Sequence, residues 1–432
     1  MPLVQKFCRY AIPSIVSMIM FSLYTMVDGM FVAWGVGETA LSAVNLSTPF
    51  VSILFAVGLT LATGTSTVIS IALGQQDLTR ARNYFNQNLF ITITFSLLLT
   101  FFVHLNLEQL AIFLGATSDT LNYVKEYVGT ISLFAVFFTV SYNLEIQVKA
   151  NGAPHISTAG VFSCGMMNIL LDYIFVMHFH WGVWGAALAT GLAQVTSTSL
   201  FFVYFLTHRQ RLRFEKFRFQ LGVYRRIIPL GFSDGLGELS NGVIILLFNQ
   251  TVIRIIGAEA IVSYTIVSYV NTFVLMTMIG TTQGMQPLVS YYYGAGEQKT
   301  CYRLLKYALV SIIIFAAIAL FISEFCAEQI VSLFLASSSA MFDYSVQTLN
   351  IYALSFLVVG FNILIAGFFT AVAKPSFAFT ISFGRSMALL SICLIVLSNV
   401  IGALGIWITP LVSETLCLII SVSFFLWYHR KN

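Results

Sequence analysis

The sequence predicts an all-α membrane protein of about twelve transmembrane helices, arranged as two parallel-topology lobes of six. Three observations lead there. Hydrophobic residues make up 58% of the chain and charged residues only 9%. A soluble domain carries about 25% charge, so this chain cannot cover a water-facing surface of its size. The apolar residues come in runs of about twenty, the length that spans the hydrocarbon core. And a shift of 220 residues lays the second half of the chain on the first.

Taken in order, the spans fall near 10–34, 46–73, 86–105, 121–148, 156–179 and 184–207, then 222–252, 260–291, 303–323, 345–371, 376–399 and 404–428. The first run is too long for a cleavable signal peptide and has no small-residue cleavage site, so it is read as a retained span. The loops between the runs alternate in charge. Lys6 and Arg9 precede the first span, and Glu38 follows it. Arg80 and Arg82 follow the second; Glu108 and Asp119 follow the third; Lys149 follows the fourth. After the sixth comes a basic connector with Arg209, Arg211, Arg213, Lys216 and Arg218, then Arg225 and Arg226 at the start of the seventh span. The second half repeats the alternation: Glu259; then Lys299, Arg303 and Lys306; then Glu324, Glu328 and Asp343; then Lys374; and finally Arg430 and Lys431. Every other loop thus collects 18 of the 21 basic residues. Basic loops stay in the cytoplasm, which makes both termini and the connector cytoplasmic, in a multi-pass protein of the plasma membrane. Only an even count of twelve keeps the alternation unbroken.

The repeat places Gly37 on Gly257, Ala40 on Ala260, Gly64 on Gly284, Ser70 on Ser290, Gly74 on Gly294, Gly182 on Gly402 and Gly185 on Gly405, all at one shift. Pro13 meets Pro229 at 216 and Pro154 meets Pro375 at 221. Six spans per half means that each half starts and ends on the same side, the parallel relation about an axis along the membrane normal. The expected division is 1–207 for the N-terminal lobe, 208–221 for the connector and 222–432 for the C-terminal lobe.

Charge at the bilayer centre costs about 2.5–3.5 kcal/mol even on permissive scales, so each intramembrane ionisable residue needs a reason. They are Asp28, Glu145, Asp172, Asp234, Glu238 and Glu414, with Arg385 as the lone deep cation. At 1.5 Å of rise per residue, Asp28 lies about 27 Å into the first span and Asp172 about 24 Å into the fifth. Asn168 is one turn from Asp172 on the same face. Thr190 lies at similar depth in the sixth span. Four oxygen-bearing side chains on three helices share one layer, which suits a hard cation. Two carboxyl groups held close also resist double ionisation and can take a proton. The alternative is four separate polar residues bonding nearby backbone.

Asp234 and Glu238, at i,i+4 on the seventh span, are candidates to line a cleft for a cationic substrate. They can equally be a structural pair neutralised by Arg385, which Glu414 serves as well. Glu145, near the cytoplasmic end of its span, is read as a gate or interface residue. His178 and His180 flank Trp181 at an outer helix end and are read as interfacial.

Several ordered strings resemble the multidrug and toxic compound extrusion (MATE) transporters, most of all their bacterial and archaeal DinF-like and MepA-like members. They are Pro13 and Val27-Asp28-Gly29; Gly35 to Leu41; Gly64 to Gly74; Ala150-Asn-Gly-Ala-Pro154; Asn168-Ile-Leu-Leu-Asp172; Gly182 to Thr190; and Gln286-Pro287 with Tyr293-Gly294. The resemblance covers essentially the whole chain. It implies two six-helix lobes about a central cleft, alternating access, and export of small organic compounds driven by Na⁺ or H⁺. It also implies a coupling site, with Na⁺ as one candidate occupant, at Asp28, Asn168, Asp172 and Thr190. A second family pattern, acids on the seventh and tenth helices, is incomplete: Glu238 approximates the first and the tenth span has none.

Other classes fit less well. A lipid-precursor flippase would line its cavity with several cations, where Arg385 stands alone. A major-facilitator carrier would carry an adjacent Asp-Arg pair after the second span. An intramembrane enzyme would need a nucleophile–base or metal constellation, and the chain has no HExxH and no deep histidine to serve a serine. The six scattered cysteines form no CxxC pair. A net charge of +4 without an aromatic-basic patch is no nucleic-acid footprint. No cofactor is expected, and the working unit is expected to be a monomer in the lipid bilayer.

Overall fold

The computed structural model describes residues 2–208 and 211–431, and its regular structure is helical throughout. Arg209 and the side chain of Glu38, both part of the charge pattern, lie outside the described residues. Ten unbroken membrane-length helices and two bent pairs give twelve spans among the described residues. In the first half they are Leu3–Gly35, Glu38–Gly74, Leu78–Leu105, the pair Leu121–Leu133 and Ala135–Ala150, Pro154–Asp172 and Gly182–Thr207. In the second half they are Tyr224–Ile255, Ile261–Gly294, Gln298–Phe325, the pair Phe342–Ala353 and Phe356–Ala371, Pro375–Phe383 continued by Leu389–Ile401, and Ala403–Lys431.

Most helices run beyond the apolar segments, because polar ends stay helical once capped. The third span begins at Leu78 rather than near 86: the carboxylate of Asp77 accepts the backbone N–H of Arg80 at 2.9 Å and satisfies one of the free donors of the first turn. Proline opens the fifth and eleventh spans, where its missing N–H costs no bond. The fourth and tenth spans bend by 50° and 42°, at Phe134 and at Leu354–Ser355, equivalent positions in the repeat. The fifth and eleventh spans each widen into a π turn, at Tyr173–His178 and Gly384–Ala388.

The duplication extends to the backbone. Gly37 and Gly257 have φ of 108° and 133°, and Gly182 and Gly402 have 61° and 63°. Gln76 with Gly296 and Gly152 with Ala373 are also left-handed at matching positions. Helix neighbours repeat as well. First against fifth, second against fourth, and fifth against sixth recur as seventh against eleventh, eighth against tenth, and eleventh against twelfth. Between the lobes, the first span packs on the eighth and the second on the seventh, one pairing seen twice.

These interlobe seams are backbone-close and run from mid-helix to the end carrying the basic loops. Gly64 faces the carbonyl of Ile227, Gly231 that of Thr60, and Gly284 the Cα of Ala11. Gly74 and Gly294, partners in the repeat, meet each other's helices at Tyr291 and Ile71. At the same end, Lys6 Nζ donates to the hydroxyl of Tyr292 at 2.9 Å.

The connector lies along the third span, held by a ladder of amides. Asn86 donates to the carbonyl of Arg213 and accepts from the N–H of Glu215. Asn83 pairs in the same two-way manner with Arg218, and Gln87 with Gln220. Each side chain imitates a backbone group and satisfies a strand that has no sheet.

Candidate functional site

The first, fifth and sixth spans bring Asp28, Asn168, Asp172 and Thr190 together. Thr190 Oγ1 lies 3.3 Å from Asp28 Oδ1, and Asn168 Nδ2 lies 3.3 Å from Thr190 Oγ1 and 3.5 Å from Asp28 Oδ1. The carboxyl groups of Asp28 and Asp172 are within reach of each other. Asp172 is 0% exposed and Asn168 1%. Both carboxylate oxygens of Asp172 and the amide oxygen of Asn168 are buried without a donor. Buried acceptors nearly always have a partner, and an isolated charge in apolar surroundings is costlier still. Oxygen groups converging from three helices, with those of Asn168 and Asp172 on the fifth span unused, match a hard cation or a proton. The π turn of the fifth span starts one residue after Asp172, and such widened turns recur at functional positions. Tyr127 of the fourth span, buried beside both carboxylates, belongs to the same shell. No sequence spacing pointed to it.

Asp234 lies against Thr63 and Gln286, next to Gly235, where the second and seventh spans touch. Glu238 is one turn further from the basic end, near enough for its charge to act on Tyr142 of the other lobe. The two acids therefore sit between the lobes, just beyond the seam where these close.

Arg385 does not neutralise them. Of the carboxylates open to it, the structure gives it Glu414, at 3.0 Å. Glu414 also accepts from Asn362 at 2.7 Å, and Ser421 donates to the amide oxygen of Asn362 at 2.8 Å. This network ties the tenth, eleventh and twelfth spans together and pairs the two charges with each other.

Lys149 is a correction to the charge pattern. Counted among the loop cations, it is instead buried at the end of the fourth span, its side chain 2% exposed. Lys149 pairs with Glu145 at 2.9 Å, and Ser157 donates to the same carboxylate at 3.0 Å. It then reaches Gln283 of the opposite lobe at 3.2 Å. Glu145 thus acts at the lobe interface through Lys149. The i,i+4 spacing of Glu145 and Lys149 was the readable signal.

Comparison with known proteins adds to this geometry. The MatE family model matches residues 13–174 and 238–397. The chain is 24% identical over 411 residues to the multidrug export protein MepA of Staphylococcus saprophyticus, covering 95% of this chain and 90% of that one. It is also 24% identical over 437 residues to MepA of Staphylococcus haemolyticus, covering 98% and 93%. Among solved structures, an outward-facing multidrug resistance MATE family transporter of the MOP superfamily superposes with a TM-score of 0.93 at 19% identity, over 100% of this chain and 96% of that one. A MOP superfamily transporter from Pyrococcus furiosus superposes with a TM-score of 0.91 at 20% identity, over the same shares. At these identities the solved structures bear on the fold.

Proposed function

The chain belongs to the MatE family, whose pattern covers most of both halves, and from that premise we propose a secondary active exporter of organic, mainly cationic and amphipathic compounds. The driving step is antiport with Na⁺ or H⁺, and the cycle is alternating access of one central cleft. The substrate class follows the relatives' description as multidrug export proteins. The observation that carries the coupling is the cluster of Asp28, Asn168, Asp172 and Thr190 with its unspent buried acceptors. A proton between the two carboxyl groups would supply the missing donor. Na⁺ would be held by the carboxylates of Asp28 and Asp172, the amide oxygen of Asn168 and the hydroxyl of Thr190. Loading removes the repulsion between the carboxylates and frees the first helix to shift. Pro13 weakens that helix's hydrogen-bond ladder, and its carbonyl already accepts from Thr158 of the fifth span at 2.8 Å, so movement at Pro13 is felt by the helix that carries Asp172. Asp234 and Glu238 supply negative charge to a cationic substrate in the cleft.

The test is transport of a fluorescent lipophilic cation in proteoliposomes with Na⁺ and pH gradients imposed separately. One gradient should drive uphill movement, and its ionophore should abolish it. Equal transport without either gradient rejects antiport.

The lobes meet at the end with the basic loops, which we place in the cytoplasm. Thiol labelling from outside intact cells should modify Asp343→Cys and spare Arg213→Cys. The reverse pattern overturns the orientation.

A further inference from the structure

The two pseudo-equivalent seams between the lobes end differently at the basic face. On the side of the first and eighth spans, Phe7 and Tyr10 are buried against the opposite lobe and fill the crevice. The 216-residue register of Pro13 and Pro229 places Val223 and Arg226 at their equivalents, on the side of the second and seventh spans. There the crevice stays open as a groove of about 330 Å³. Its lining combines Arg80, Arg225 and Arg226 with the apolar Val68, Ile71 and Leu230. The side chain of Arg80 is fixed by a 2.6 Å hydrogen bond to Tyr84. Arg225 and Arg226 are exposed. None of the three forms an ion pair among the described residues, where Arg82 and Arg213 share Glu215. Asp77, close to Arg80, is engaged in capping its helix. From the groove, Ile228 and Phe232 continue an exposed apolar path along the seventh span toward the membrane interior.

We propose that this groove binds the phosphate headgroup of an anionic phospholipid, with an acyl chain lying along Ile228 and Phe232. Three arginines lining one groove together with apolar side chains fit that chemistry: arginine forks match phosphate oxygens, and basic pockets between spans at the cytoplasmic side hold anionic headgroups. A free phosphate would use the arginines but leave the apolar path without a role. Because the groove is bounded by both lobes, a seated lipid favours the arrangement in which they are closed here.

The experiment is native mass spectrometry of the full-length protein, purified in detergent and incubated with equal amounts of phosphatidylglycerol and phosphatidylcholine. The wild type should retain one phosphatidylglycerol in preference to phosphatidylcholine, and R225Q/R226Q should lose that preference by roughly tenfold or more. R213Q/R218Q, outside the groove, should keep it while removing the same two cationic charges. Monodisperse elution of each variant establishes that it is folded. Equal retention of the two lipids by the wild type overturns the proposal, as does an unchanged preference in R225Q/R226Q. Displacement of the lipid by millimolar inorganic phosphate also overturns it, since the site would then read a free anion rather than a lipid.

Discussion

Asp28→Asn should reduce gradient-driven export by roughly a hundredfold, the upper range of a typical coupling free energy between two sites, while the protein still inserts and folds. The substitution keeps the shape and removes one negative charge. Its amide also gives Asp172, whose two carboxylate oxygens are buried without a donor, a group to bond. The site is therefore satisfied permanently, with no dependence on an ion. Downhill substrate movement should persist more than uphill movement, because the cleft acids Asp234 and Glu238 are untouched. Asp172→Asn should behave alike. Thr190→Ala should weaken coupling less, since it removes one neutral ligand and leaves both carboxyl groups. The Asp28→Asn/Asp172→Asn double variant should be barely worse than either single one, as residues acting as a unit are strongly non-additive. Proteoliposome assays under one fixed ion gradient measure all four. Wild-type rates for Asp28→Asn remove the cluster from the coupling step and make Asp234 and Glu238 the leading candidates.

The fold was legible in the sequence to the extent that burial in lipid writes itself into composition. Twelve apolar runs, the alternating loop charge and the 220-residue repeat need only hydropathy and spacing. The four-residue cluster was legible as a shared depth, because helix rise is constant and carboxylates in apolar runs are conspicuous. What spacing does not carry is lateral position: whether Asp28 faces the fifth span or the lipid depends on packing. The helix bends at Phe134 and Leu354 were not legible, since no proline or glycine marks either one. Asn83 read as loop and Asn86 and Gln87 as the first residues of the third span, and nothing in their spacing tied the three amides to the connector they serve. Lys149 was misread for a related reason. A lysine near a predicted helix end counts as solvated, and only the contact with Glu145 and the other lobe shows otherwise.

Gly231→Leu should be the most damaging change away from the charged residues. A Cβ at position 231 would overlap the carbonyl group of Thr60, and one at Gly64 the carbonyl of Ile227. These obstacles are backbone on both sides, so no rotamer relieves them and the second and seventh helices must separate. Overpacking of this kind costs about 1–3 kcal/mol, and a bias of that size shifts a two-state equilibrium by roughly 5- to 150-fold. The penalty falls on one state only, the arrangement closed at the basic end. The variant should therefore dwell open to the cytoplasm, export poorly, and still insert. Its readout is thiol labelling of Ser66→Cys, which lines the small polar cavity beside Lys149 and Gln283, in a background without other cysteines. Labelling from the cytoplasmic side should rise with Gly231→Leu. Gly237→Leu provides the control on the same helix, since a Cβ there meets nothing within 4 Å, and it should leave labelling and transport near wild type. Equal labelling and full export with Gly231→Leu would show that the close glycine seam does not form the cytoplasmic gate, and that separation of the lobes elsewhere governs access.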